Sequence, residues 1–201
     1  MIRKISFVTS NKHKALEAQA KLGKGFSVRQ WDVECPEIQA DTLEEVALAS
    51  AQYVIEKHAP KEAFILEDAG LFVDALKGFP GPYSHFVHDT VGCAGILKLL
   101  EGTKGRRRSA RFETVLVYCR NIPNASSCAP ALFKGISRGR IADSMKGKNG
   151  FGFDPIFIPE GEKRRFAEMS PREKGKYSHR GLAISAFADY VRSAGGASGG
   201  R

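Results

Sequence analysis

Ile2-Arg3-Lys4-Ile5-Ser6-Phe7-Val8-Thr9-Ser10-Asn11-Lys12-His13-Lys14 stands at the head of the chain. Ile2 to Thr9 alternates and is rich in β-branched residues, which predicts a strand. Ser10-Asn11 supplies capping chemistry for a helix running to about Leu22. A strand handing over to a helix sets the mixed α/β pattern that the rest of the chain continues. The junction also carries chemistry. A helix N-terminus offers free N–H groups and the positive end of a dipole. Lys14 adds a full charge on the first turn. Thr9, Ser10, Asn11, Lys12, His13 and Lys14 thus form a phosphate site without a P-loop, although an ordinary capped helix reads equally well from these residues alone.

Working outward, Phe26 to Val33 predicts a second strand. Thr42 and Glu45 form a capping box for a helix ending near His58. Ala63 to Glu67 predicts a short apolar strand that delivers Glu67-Asp68-Ala69-Gly70 at its end. Gly78-Phe79-Pro80-Gly81-Pro82 is a rigid loop, followed by helical stretches near Tyr83–Asp89 and Ala94–Leu100. Arg111–Cys119 and Leu132–Ile141 read as paired strands. Gly150-Phe151-Gly152-Phe153-Asp154-Pro155-Ile156-Phe157 reads, taken alone, as a bulged edge strand. Pro171–Tyr177 reads as charged and irregular. Arg180–Val191 predicts a last helix with Leu182, Ile184, Phe187 and Val191 inward. The expected fold is α/β, a long mixed β-sheet with flanking helices and two lobes around a central cleft. It forms one domain over 1–192, and a disordered Gly/Ser tail follows at 193–201.

The chain has 201 residues and a net charge of +9, which suits an anionic partner. Cys35, Cys93, Cys119 and Cys128 form no C-x-x-C pair, so neither a zinc site nor a disulfide framework is implied. No apolar run is long enough for a membrane span, and the N-terminus shows no signal-peptide pattern. The expectation is a cytoplasmic protein. Gly135-Ile136-Ser137-Arg138-Gly139 matches a nucleophile elbow, but the pattern after it stays extended, so it reads as a chance match. His85 and His88 read as surface or interface histidines.

Three constellations carry chemistry. The first is the Thr9–Lys14 junction. The second is Glu67-Asp68-Ala69-Gly70 with Glu37, because buried acids are costly unless paired or metal-bound, and oxygen ligands of this kind suit Mg²⁺. The third is Ser178-His179-Arg180 with Lys174. Basic groups gain nothing from the dipole at a helix N-terminus, so another partner should hold them.

Thr9-x-Asn11-x-x-Lys14, Glu37-x-Gln39, Glu67-Asp68-x-Gly70-Leu71, Phe79-Pro80-Gly81, Phe151-Gly152-Phe153-Asp154-Pro155 and Glu173-Lys174 with Ser178-His179-Arg180 occur in that order. Together they resemble the inosine triphosphate pyrophosphatase family, from about Ile2 to Val191. The resemblance implies a dimeric, Mg²⁺-dependent enzyme with its active site between two lobes. Its substrates would be ITP, dITP and XTP, split to the monophosphate and pyrophosphate. Carried over by motif, Thr9 to Lys14 grip the triphosphate. Glu37 and Asp68 hold metal, with Glu67 as a further candidate, and Asp68 is also the base. Ala69, Phe151, Gly152, Phe153, Asp154, Lys174, His179 and Arg180 form the base pocket. The chain departs from the family's pattern at Ser50, where a Lys is common, at Ala69 for Ser, at Phe153 for Trp and at Gly175 for Asn. Two alternatives stay open. One is a related pyrophosphatase for modified pyrimidine or methylated nucleotides. The other is a basic nucleic-acid-binding protein, against which the acids Glu37, Glu67 and Asp68 count; no stable nucleic-acid complex and no membrane partner are expected.

Overall fold

A computed structural model describes residues 2–120 and 130–196. Seven strands form one sheet: β1 (Arg3–Val8), β2 (Phe26–Trp31), β3 (Phe64–Val73), β4 (Pro80–Gly81), β5 (Ser109–Cys119), β6 (Ala131–Ile141) and β7 (Phe157–Pro159). Their order is β2-β1-β3-β5-β6-β7, with β4 pairing β3 off this path. The β1 pairings with β2 and β3 are parallel, and all others are antiparallel. The expected long mixed sheet is therefore present.

Helices lie on both faces. Helices α1 (Lys12–Leu22) and α6 (His179–Gly196) cover one face, where Ile5, Phe7, Ile65, Leu116 and Phe187 are buried together. Helix α2 (Leu43–His58) covers the other, over Val8, Phe64, Leu66, Val115 and Val117. Farther along the α1–α6 face, the short helices α3 (Ser84–Thr90) and α4 (Gly92–Leu99) pack with β5, β7 and the 153–169 segment around Phe112, Phe157 and Phe166. Burying one such aromatic contributes about 1.5–3 kcal/mol.

Local chemistry accounts for the helix starts. Asn11 caps α1, its side chain accepting from the His13 N–H at 2.9 Å. Thr42 and Glu45 form the reciprocal box at α2, at 3.2 and 3.0 Å. The 171–177 segment is not irregular. It is helix α5 (Pro171–Tyr177), with Ser170 and Glu173 as capping box and Pro171 in the first turn. Its charges mask a start signal that is present in the sequence.

Three further expectations are corrected. Strand β3 does not stop at Glu67. It runs on to Val73, in register with β5 from Phe64↔Cys119 to Val73↔Ala110, so the acids sit mid-strand. Gly150–Ile156 is a series of turns, with only Phe157–Pro159 in the sheet. Leu182 is exposed, whereas Ile184 and Phe187 are fully buried. Helix α6 continues through 193–196, and the rest of the expected tail lies outside the described residues. Among the described residues no helix is long and apolar enough to cross a membrane.

The false elbow has a packing explanation. Strand β6 passes straight through Ser137, which is buried. A Cβ on Gly135 would lie 2.0 Å from the His179 carbonyl oxygen, and one on Gly139 would lie 2.2 Å from that of Ile158. These glycines let α6 and β7 approach the strand.

Candidate active site

A cleft of about 370 Å³ opens at the junction of β1 with α1, the middle of β3, helix α3 and the N-terminus of α6. Its walls bring together Thr9, Ser10, Asn11, Lys14, Glu37, Asp68, Ala69, Phe151, Gly152, Phe153, Asp154, Lys174, His179 and Arg180. Residues separated by the length of the chain thus converge. Lys12, His13 and Glu67 are the sequence candidates that do not line it.

The β1–α1 turn is held by its own side chains. Thr9 Oγ1 accepts from the Asn11 N–H at 3.1 Å, and Asn11 Oδ1 accepts from His13. Lys12 is exposed. The His13 ring leaves the turn to stack on Phe151, with centroids 6.0 Å apart.

Adjacent residues in a strand point to opposite faces, and β3 uses this to separate its two acids. Glu67 lies on the face of Ile65, toward α1 and α6. Its side chain is 1% exposed and its Oε1 accepts from Arg180 at 2.7 Å, with Lys14 Nζ at 3.4 Å. Burial pushes its carboxyl up, but Arg180 and Lys14 outweigh burial and hold it below the ordinary range. Asp68 lies on the other face, toward Glu37 and α3. Its Oδ2 is buried with no partner among the described residues. Burial raises its pKa to about 7, assisted by the charges of Glu67 and Glu37 and opposed by Lys14.

Beneath the cleft, three cations meet three carboxylates. Lys174 Nζ lies 2.6 Å from Asp154 Oδ2 and 3.1 Å from Glu17 Oε1. Arg180 spans Glu17 and Glu67, both at 2.7 Å, and Lys14 completes the set on Glu67. The side chains of Lys174 and Arg180 are 5% and 2% exposed. This network is the missing partner for the basic groups at the head of α6. Glu17, unforeseen in the sequence, sits at its centre. Burial raises its pKa, but Arg180 and Lys174 outweigh that and lower it. Its only sequence signal is an acid one turn after Lys14, on the same helix face.

The Asp154 carboxylate also accepts from the Phe151 N–H at 2.9 Å, again through Oδ2. Gly150 makes room for it. Its φ is +75°, and a Cβ there would fall 2.0 Å from that oxygen. Burial pushes Asp154 up against the pull of Lys174. Phe153 is core, only 3% exposed, with its ring edge-on to His88 at 5.3 Å. Phe151 is the half-buried ring, with Lys174 and Arg180 at 4.8 and 5.3 Å from its centroid. His179 stacks on Phe112 at 4.6 Å and 12°. Its pKa falls well below the ordinary value, through burial first and then the charges of Arg180, Lys174 and Lys14. It is therefore a neutral imidazole at neutral pH, and its buried Nδ1 has no partner among the described residues.

The cleft also uses residues that the sequence reading set aside. His85 and His88 do lie near the surface, but both line it, with Ser84, Asp89 and Phe112. His85 bridges Glu37 at 3.0 Å and Asp89 at 3.3 Å. The His85–Asp89 spacing of one helical turn was the available signal. Gly70 admits β4: a Cβ there would lie 2.3 Å from the Gly81 oxygen. The Ser50 carbonyl accepts a weak bond from Cys35 Sγ at 4.0 Å.

Among the described residues, no three of His, Cys, Asp and Glu are grouped to hold a metal ion. The donors present nonetheless fit Mg²⁺, which binds through one or two carboxylates and takes its remaining oxygens from water and substrate phosphates. Asp68 offers an orphaned buried oxygen and Glu37 shares its cavity.

The sequence profile describing the Ham1 family matches residues 5–190. A dITP/XTP pyrophosphatase from Methanopyrus kandleri is 47% identical over 191 residues, covering 94% of this chain and 97% of that protein. One from Thermococcus kodakarensis is 47% identical over 190 residues, with the same coverage. Among solved structures, the Staphylococcus aureus Ham1 protein superimposes with a TM-score of 0.77 at 28% identity, covering 95% of this chain and 99% of that one. The resemblance carried by six scattered motifs thus extends over nearly the whole sequence, and the chain belongs to the Ham1 family.

Proposed function

We propose that this chain hydrolyses non-canonical purine nucleoside triphosphates, namely dITP, ITP and XTP, to the monophosphate and pyrophosphate. One observation carries the reading. A single cleft joins a cationic helix N-terminus, a carboxylate with an orphaned oxygen, and a wall with a neutral histidine and a buried acid. The names of the relatives, dITP/XTP pyrophosphatases, support it.

In this reading the Thr9–Lys14 turn and Lys14 bind the phosphate chain. Glu37 and Asp68 would hold Mg²⁺, which supplies charge neutralisation of the triphosphate when bound. Asp68 also accepts the proton of the attacking water as general base. In-line attack at the α-phosphorus expels pyrophosphate, whose charge Lys14 and the α1 N-terminus stabilise. The base lies along Phe151. Neutral His179 donates an N–H to the 6-keto oxygen. Asp154, whose partners in the described structure both use Oδ2, accepts from N1–H through Oδ1. Adenine reverses both edges, and a mismatch that leaves buried polar groups unpaired costs a factor on the order of 10⁴. The proposal extends, through the same family, to a homodimer working in the cytoplasm without a nucleic-acid partner.

The test is pyrophosphate release from dITP, XTP, ITP, GTP and ATP, with and without Mg²⁺. Release from dITP and XTP is expected to require Mg²⁺ and to exceed that from ATP by about 10³–10⁴. Asp68→Asn is expected to lower turnover by about 10²–10⁴. Near wild-type turnover in Asp68→Asn, or an ATP rate equal to that with dITP, overturns the assignment.

A further inference from the structure

On the face of β5 opposite Phe112, and so away from His179, the sheet sets arginines against one another. Arg111 stands directly across from Arg138, and Arg140 follows two residues later on the same face. Like charges directly opposite destabilise a sheet. These residues line a groove of about 800 Å³, together with Arg106 from the turn before β5 and Glu160 after β7. The groove shares no lining residue with the catalytic cleft.

The other acids of the groove are engaged. Asp74 pairs with Arg111 at 3.7 Å, Asp143 with Arg108 at 3.4 Å and Glu162 with Arg164 at 3.2 Å. Arg106, Arg138 and Arg140 make no ion pair among the described residues. Three guanidinium forks therefore face a concave surface with one carboxylate, Glu160, uncommitted. Such forks match phosphoryl oxygens bidentately. No aromatic ring lines the groove, so it lacks the stacking platform that holds single-stranded nucleic acid, and its interspersed carboxylates disfavour a long polyanion. We propose that this groove is a second anion site. It takes a short run of two or three phosphoryl groups, free or as the tail of a nucleotide, on Arg106, Arg138 and Arg140.

Calorimetric titration of the intact protein with inorganic tripolyphosphate in EDTA tests this. R138Q/R140Q is expected to show one site fewer than the wild type, or that site weakened at least tenfold, with dITP turnover unchanged. R107Q, on the same turn but outside the groove, is expected to keep wild-type binding. ATP titrated in parallel identifies the source of the phosphoryl groups. Equal affinity assigns recognition to the chain of phosphates alone, and tighter ATP binding assigns it to a nucleotide tail. Because binding is read without turnover, the result stands apart from the proposed hydrolysis. Unchanged site number and affinity in R138Q/R140Q overturn the proposal. So does a thymidine oligonucleotide that outcompetes tripolyphosphate and loses its affinity in the same variant, since the groove would then be a nucleic-acid surface.

Discussion

Replacing Glu17 by Gln removes one charge from the buried network and almost no volume. In the wild type each Glu17 oxygen serves one cation, Lys174 at 3.1 Å and Arg180 at 2.7 Å. The variant leaves three cations facing two carboxylates. Removing one partner of a buried ion pair costs about 3–5 kcal/mol. Gln keeps one acceptor, and Lys174 and Arg180 keep Asp154 and Glu67, so about 3 kcal/mol is expected. For a chain of this size that lowers Tm by about 6–12 °C. The pH dependence separates charge from shape. Glu17 titrates below its ordinary 4.5 in the folded protein. Its stabilisation is therefore complete above that value and is lost as pH falls through the folded pKa. Denaturant unfolding of both proteins from pH 7 down to pH 3 should show a full deficit at pH 7 that narrows below about pH 4.5. A variant as stable as wild type at pH 7, or a deficit constant with pH, would refute the idea that Glu17 acts as the charge at the centre of this network.

Gly150→Ala places a Cβ at φ +75°, 2.0 Å from the Asp154 carboxylate. It is expected to cost about 1–2 kcal/mol in unfolding free energy and, by displacing Asp154, to raise KM for dITP at least tenfold (about 1.4 kcal/mol), read by steady-state pyrophosphate release. Gly135→Ala drives a Cβ into the His179 carbonyl, 2.0 Å away. It is expected to destabilise by about 1–3 kcal/mol through displacement of α6, measured by urea unfolding, and an unchanged midpoint would contradict the close packing of α6 on β6.

The elements with strong local signals were legible. The β1–α1 junction, the capping box of α2 and the paired strands β5 and β6 all follow from alternation and caps. The site was legible only because its motifs are short and ordered. What escaped was non-local. The sequence cannot show that Arg180 answers Glu67 across the fold, so β3 was ended at its acids. Glu37 lies far from His85 in sequence, so only Asp89, one helical turn on, was visible as a partner. Phe153 was expected in the base pocket beside Phe151, yet turn geometry sends its ring into the core.

The alternation of β3 has a consequence for how the protein tolerates change. Glu67 and Asp68 are one residue apart and carry nearly the same side chain, yet one is sealed by Arg180 and the other lines the cleft with an unpartnered oxygen among the described residues. Only strand phase tells them apart. A one-residue slip of β3 against its neighbours would exchange them, setting the Asp68 side chain against a guanidinium and that of Glu67 in the cleft. Substitutions can be absorbed at many points on this sheet, but a frame error in β3 cannot. Continuous pairing with β5 from Phe64 to Val73, with β1 holding Phe64 and Ile65 from the other side, keeps that phase fixed.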